Sequence, residues 1–357
     1  MAGTIGAILL VGIALYAIFG GADFGGGLWD LLAGGASRGW APRRLIDESI
    51  TPVWESNHVW LVFDLVIFWT AFPRAFASVM TAAALPLWLA VAGIVLRGAG
   101  FAFRKEITDL RLLRVAGATF ALSSLVTPFF MGTVIGAIAA GSIPADATHA
   151  NQSAWTSATS LLIGCLFVAA CAYLAAVYLT GEAARRGEKT LRSYFARRAQ
   201  LGSVVAGLLS LALLFELHRS NRLLYSHLTG RALPLVIVAA LCGVITIALL
   251  NGRTVRHLRT RSVAALGVAA VIWAWGVAQY PVLLPGTSIT LSTAGAPQSS
   301  LDAIFVVFLI AVVLVGPSFL LVYVMQSRRL LGTDEAGLSP TSVPGESLNR
   351  PAGPSAS

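Results

Sequence analysis

Residues 51–61 read Thr51-Pro52-Val53-Trp54-Glu55-Ser56-Asn57-His58-Val59-Trp60-Leu61. Two tryptophans bracket a carboxylate, an amide and an imidazole, and the stretch runs straight into an apolar segment long enough to cross a bilayer. Polar groups at the mouth of a membrane helix are costly to bury. The stretch therefore bears on both the fold and the chemistry, and the rest of the chain is read outward from it.

The hydrophobic fraction is 57% and the charged fraction 11%, against roughly 45–50% and 25% in soluble domains. Apolar runs recur at approximately 4–24, 53–73, 77–97, 115–140, 155–180, 200–217, 232–250, 263–280 and 301–325, each near the length that crosses about 30 Å of hydrocarbon. The pattern predicts an all-α integral membrane protein with nine transmembrane helices in a bundle. The first span is expected to run on as helix to Leu32, where Gly34-Gly35 stop it. Residues 1–331 read as a single polytopic membrane domain, and 332–357, polar and rich in Pro, Ser and Gly, as a disordered cytoplasmic tail.

Of the 25 Lys and Arg residues, 21 fall in one alternating set of loops and ends. The other set holds only Arg74, Arg219, Arg222 and Arg231. That asymmetry predicts the N-terminus outside and the C-terminus in the cytoplasm. The net charge of +9 sits in short loops between apolar spans, which fits topology setting rather than nucleic-acid binding. The loops at 141–154 and 281–300 lack Lys and Arg and read as surface turns. Cys165, Cys171 and Cys242 lie in apolar spans and read as buried structural thiols. No basic region precedes the first apolar run, so a cleaved signal peptide is not expected.

Span direction then gives depth. Asp23 lies toward the inner end of span one, Glu55, Asn57 and His58 at the inner end of span two, and Arg97 at the inner end of span three, with Arg104 just beyond. Glu55 and His58 share a helical face, and Asn57, Trp60 and Asp64 share another. Asp64 lies about two turns deeper than Asn57 and should face protein or water. The plainer reading of Asp23, Glu55 and Arg97 is an ion-pair and capping cluster that fixes helix packing. The functional reading is a proton or ligand path, with Asp23, Glu55, Asn57, His58 and Asp64 as its candidates and Trp54, Trp60, Arg97 and Arg104 in support. His58 taken alone reads as a hydrogen-bonded interfacial group, and Trp54 and Trp60 also fit belt or packing positions. Gly21 and Gly25 form a G-x-x-x-G that lets another backbone approach, and the bare surface around Asp23 also leaves room for a neighbour, water or a partner.

The histidines and methionines do not form an evident ligand set for several haems. No H-E-x-x-H, Cys/His cluster, G-x-S-x-G or Walker motif occurs. Metal in this chain is therefore not expected.

The runs Gly21-Ala22-Asp23-Phe24-Gly25-Gly26-Gly27 and Ile50 to Leu61 together resemble subunit II of cytochrome bd-type quinol oxidases. In that family the first motif usually reads Gly-Phe-Asp-hydrophobic-Gly-x-Gly, and the second Pro-x-Trp-Asp-Gly-Asn-Glu/Gln-Val-Trp-Leu. Ala71-Phe72-Pro73, Arg97-Gly98-Ala99-Gly100-Phe101, Arg104-Lys105 and the segment 286–300 add further matches. The resemblance implies nine membrane helices in a bacterial plasma membrane. It implies a heterodimer with a haem-bearing subunit I that holds haem b and haem d, oxidises quinol and reduces oxygen to water. It extends to small accessory membrane subunits as partners and to a quinone in a structural position. On this resemblance Asp23, Trp54, Asn57, Val59, Trp60, Leu61 and Arg97 match the family, and Glu55 stands where the family has an Asp implicated in proton supply. Ser56, His58 and Asp64 depart from the pattern, and His58 adds a group that titrates near neutral pH. Two other classes remain open: a secondary transporter with a buried acidic site, which weak internal repeats with paired broken helices would favour but the sequence does not show, and a non-catalytic assembly scaffold. Co-purifying haem bands separate the oxidase from both.

Overall fold

The computed structural model describes residues 1–50, 54–104, 110–252 and 257–327. It is helical throughout: α1 (Ala2–Leu31), α2 (Ala36–Ile50), α3 (Trp54–Ala71), α4 (Pro73–Ala82), α5 (Ala84–Arg104), α6 (Leu110–Ala139), α7 (Gln152–Trp155), α8 (Ala158–Arg185), α9 (Lys189–Ser220), α10 (Arg222–Thr229), α11 (Leu233–Asn251), α12 (His257–Gln279) and α13 (Gln298–Ser327). The described residues contain no strand, only an isolated antiparallel bridge between Val282 and Thr290. Two compact units divide the chain at Phe305 and Val306. The packing and the site described below belong to the first unit, and α13 begins in the first and runs into the second.

Among the described residues seven helices are long and apolar enough to cross a membrane: α1, α6, α8, α9, α11, α12 and α13. Counting the bent pair α3–α4 as one broken span makes eight, and α5 is a shorter apolar helix over residues 84–100. This is a multi-pass membrane protein. The helical state is dictated by the solvent, since backbone polar groups within hydrocarbon must be satisfied inside the segment that carries them.

Several expected edges move. The expected third span at 77–97 is interrupted: Pro73 opens α4 after Phe72, and Ala83 separates α4 from α5. The axes of α3 and α4 meet at 118°. The expected span at 200–217 is the inner part of a 32-residue helix. The first span does run on, to Leu31, with Gly34 just beyond at a φ of +96°, a conformation open to glycine without a Cβ penalty. Cys171 and Cys242 are buried, but Cys165 is exposed, which corrects the expectation of three buried thiols.

The α3–α4 corner is held by distant loops. Ala296 N–H donates to the Ala71 carbonyl at 2.8 Å and Asn151 N–H to the Ala82 carbonyl at 2.9 Å. These bonds satisfy carbonyls that the ends of α3 and α4 leave without intrahelical partners. Arg74 donates to both carboxylate oxygens of Asp146 at 3.0 and 2.8 Å, and the Ser78 hydroxyl donates to the Ala145 carbonyl. The 281–300 segment is correspondingly more than surface turns: Leu284, Ile289 and Ala294 are buried.

The core is organised on α8, which lies against α1, α6, α9 and α12. Every residue from Cys171 to Val177 is buried. Its start is capped by Ser157, whose hydroxyl accepts from Ser160 N–H. Where α1 crosses α8, a Cβ on Gly25 would stand 1.9 Å from the Cys171 carbonyl oxygen. Only glycine permits that approach. Trp29 Nε1 donates to the Ala172 carbonyl at 2.8 Å in the same contact. At the arginine-rich end, Arg43 pairs with Asp30 at 2.8 Å, and Arg186 bridges Glu48 of α2 to Glu182 of α8.

Gly25→Ala should lower the thermal stability of the detergent-solubilised protein by roughly 2 kcal/mol through overpacking. Gly21→Ala should do less, because its Cβ would meet the Cys171 sulfur at 3.3 Å rather than main chain. Melting curves of the two variants compare them directly.

The Arg74 guanidinium holds the Asp146 carboxyl below the usual carboxylate range, chiefly through its hydrogen bonds. A depressed carboxyl contributes above its unfolded value and loses that contribution as pH falls through the folded value. Pepsin nicking of the 140–151 loop should therefore rise only below about pH 4. In Asp146→Asn it should start higher and lose that pH step.

Candidate functional site

α1, α3, α5 and α6 meet around a buried polar cluster. Asp23 on α1, Asn57 on α3, Arg97 on α5 and Ser124 on α6 are each at most 5% exposed. Asn57 Nδ2 donates to Asp23 Oδ2 at 2.5 Å and lies 3.4 Å from the Phe19 carbonyl oxygen. Arg97 Nη2 donates to the main-chain carbonyl of Asp23 at 2.8 Å, and Nη1 donates to the Ser124 hydroxyl. Ser124 in turn donates to the Phe120 carbonyl at 2.7 Å.

A guanidinium in an apolar interior must be hydrogen-bonded to persist. Here it also lies over two aromatic rings, with Cζ 5.1 Å from the Phe24 centroid and 4.5 Å from that of Phe120. Such contacts reach ~2 kcal/mol when desolvated. Room for the group comes from α1, since a Cβ on Gly27 would stand 2.0 Å from Ser124 Oγ and 3.1 Å from Arg97 Nη1.

Three residues expected at a common depth, Asp23, Asn57 and Arg97, are therefore brought together. Their connection differs from the plainer expectation of an ion pair: the Arg97 hydrogen bond to Asp23 goes to its main-chain oxygen, and the carboxylate takes its bond from an amide.

His58 lies beside the cluster, its ring 6.1 Å from both Tyr16, edge-on, and Phe24, tilted. Trp60 packs with Tyr16, Phe24 and Cys171. Asp64 sits two turns along α3, against Gly12 of α1. Gly21 and Gly25 both face Cys171 of α8; the close backbone approach read from their spacing is made at Gly25, and Gly21 meets the Cys171 sulfur. The side chains of Trp54, Glu55, Ser56 and Arg104 lie outside the described residues; the first three belong to the opening turn of α3.

Sequence reasoning missed Tyr16, Phe24, Phe120 and Ser124. The aromatics are unmarked within apolar runs, and the only trace of Ser124 is the pair Ser123-Ser124 inside span four. Among the described residues no group of three or more His, Cys, Asp or Glu could hold a metal ion. His227 Nδ1 is 2.9 Å from the Ala278 carbonyl, and the His218 ring lies edge-on to Tyr225.

An all-helical, multi-pass protein with a hydrogen-bonded carboxyl–amide–guanidinium cluster between its helices is the class that fold and site define. The family model for cytochrome bd terminal oxidase subunit II matches residues 1–326, and the chain belongs to that family. It is 27% identical over 177 residues to cytochrome bd ubiquinol oxidase subunit 2 of Bacillus subtilis, covering 49% of this chain and 50% of the relative. It is 29% identical over 135 residues to cytochrome bd-I ubiquinol oxidase subunit 2 of Escherichia coli K12, covering 37% of this chain and 35% of the relative. These alignments thus span half or less of the relatives' length. The fold is shared with the structure of bd oxidase from Geobacillus thermodenitrificans, at a TM-score of 0.74 and 22% identity, over 93% of this chain and 99% of that one.

Arg97→Ala should destabilise the protein by roughly 3 kcal/mol, because two buried acceptors lose a charged donor. Arg97→Lys should recover only part of this, since a point charge lacks the fork that serves both acceptors. Thermal melts of the two variants in one detergent test the difference.

Proposed function

We propose that this chain is the non-haem subunit II of a bd-type terminal oxidase in a bacterial plasma membrane. It would pair with a haem-bearing subunit I, and the complex would oxidise quinol and reduce oxygen to water. On this reading the haems of the partner supply the electron transfer and oxygen chemistry. This chain supplies scaffold, interface and a route for protons from the cytoplasm. The proposed topology has nine crossings, with α3 and α5 as the second and third and α4 as the corner between them. It has the N-terminus outside and the C-terminus in the cytoplasm, and the expected tail over 332–357 lies outside the described residues.

The observation that carries the reading is the Asn57–Asp23 hydrogen bond at 2.5 Å. It joins two family-matching motifs in a buried seam of a chain whose family is a terminal oxidase subunit. At the arginine-rich end, where Arg43 pairs with Asp30, α1 ends two turns beyond Asp23. Glu55, in the first turn of α3, is the proposed acceptor of protons at that end. Asn57 orients the Asp23 carboxyl as the next stop, Arg97 fixes the main chain of Asp23, and His58 stands beside the same path. Neither a transporter nor a scaffold gains support from the family match.

A purified complex should show haem b and haem d absorption bands together with a second membrane subunit. An intact preparation without them would remove the oxidase reading. Within an assembled complex, Glu55→Gln should slow oxygen consumption several-fold while leaving the bands unchanged. Wild-type turnover in that variant would remove Glu55 from the route.

A further inference from the structure

The α1/α3 seam does not end at Asn57. Two turns along the same face of α3, Asp64 turns its carboxyl onto α1, and its Oδ1 is buried without a hydrogen-bond partner. The receiving surface is Gly12. A Cβ there would stand 2.0 Å from Oδ1 and 2.9 Å from Cγ of Asp64, so any larger residue would expel the carboxyl. Gly12 and Asp64 thus fit each other as notch and group.

Between this notch and Asp23 the seam carries two more groups able to pass a proton. The Tyr16 ring lies edge-on to His58, with centroids 6.1 Å apart. Tyr16 leans toward Gly20, where a Cβ would meet its Cε2 at 2.8 Å. Its hydroxyl donates to Met131 Sδ of α6 at 4.0 Å. From Asp23 to Gly12 the rise along α1 is about 16 Å, around half the hydrocarbon thickness of about 30 Å. A residue needed only for packing at position 64 would be apolar, like its neighbours Phe63, Leu65 and Val66. An ionisable group at this depth points to function.

We propose that Asp64 is the mid-membrane end of a proton-transfer row in the α1/α3 seam, running from Asp23 and Asn57 past His58 and Tyr16 to the Gly12 notch. The row deepens the oxidase reading above and rests on it. Each transfer moves a proton from an O–H or N–H to a lone pair on the next group and changes no oxidation state. Separations wider than a direct hydrogen bond are of the kind that ordered water bridges. Protons taken up at the arginine-rich end would thereby reach mid-membrane on side chains of this chain.

The test uses the assembled complex and the apolar reagent dicyclohexylcarbodiimide. The O–H of a protonated carboxyl adds across one C=N bond of the reagent, the proton going to nitrogen. The resulting O-acylisourea rearranges to a stable N-acylurea, which adds the whole reagent to the side chain. Peptide masses should place that addition on Asp64, with oxygen consumption falling in step. Asp64→Asn should consume oxygen several-fold more slowly with unchanged haem bands, and Asp64→Glu should recover most of the rate. Wild-type turnover in Asp64→Asn, no addition at Asp64, or full addition without loss of turnover would each overturn the row. Should Asp64→Asn fail to assemble, the labelling of the wild-type complex decides alone. A wild-type preparation lacking haem bands and oxygen consumption is a separate outcome, and it removes the oxidase reading and the row with it.

Discussion

A guanidinium cannot lie unpaired among hydrocarbon, and the placement of Arg97 follows from that constraint. Two of its nitrogens reach acceptors, the Asp23 carbonyl on α1 and the Ser124 hydroxyl on α6, while its face rests on Phe24 and Phe120. Three helices must therefore come together at one level, and α1 is the one that must be thin. Its residues 25–27 are all glycine. At Gly25 the helix touches α8 main chain, and at Gly27 it admits Ser124 and Arg97. The glycine run, the close packing and the buried cation are one structural fact seen from three sides.

In water such a run would weaken a helix by about 1 kcal/mol per glycine relative to alanine. In a bilayer the alternative to the helix is an unsatisfied backbone, which costs several times more. Helicity is thus secured by the solvent, and glycine is released for shaping surfaces. Along α1 the bare positions serve different neighbours: Gly12 receives Asp64 of α3, Gly21 and Gly25 receive α8, and Gly27 receives α6. One helix thereby fixes the relative depth of its neighbours, and with it the line of polar groups in the α1/α3 seam.

Much of this was legible from the chain alone because membrane insertion couples sequence position to depth. Asp23, Asn57 and Arg97 are far apart in sequence, yet span direction put them at one level, and there they meet. The shared face of Asn57, Trp60 and Asp64 followed from helical spacing, and Asn57 and Asp64 both contact α1. Other features had no local signal. Pro73 opens α4, but the 118° corner depends on loop residues such as Asn151, Asp146 and Ala296, which close it from elsewhere in the chain. Tyr16, Phe24 and Phe120 look like ordinary apolar-run residues until Arg97 and His58 are placed among them. Depth also predicted nearness without geometry. It placed an arginine beside an aspartate but not the choice of main-chain over carboxylate oxygen.

That choice bears on what the site can do. A carboxylate locked in a forked pair with arginine is held ionised and gives up proton exchange in return for strength. Routing Arg97 to the main-chain oxygen separates two tasks. The cation anchors the backbone of α1 and supplies positive potential nearby, while the Asp23 carboxyl keeps a neutral amide as its partner. An amide can donate to a carboxylate, and through its own oxygen can accept from a carboxylic acid, so Asn57 is compatible with either protonation state. A second acid at Asp64 in the same seam, set against a glycine rather than a cation, follows the same design. For proton traffic of the kind proposed, the useful arrangement is a fixed backbone with exchangeable side chains, and the α1/α3 seam divides its polar groups in that way.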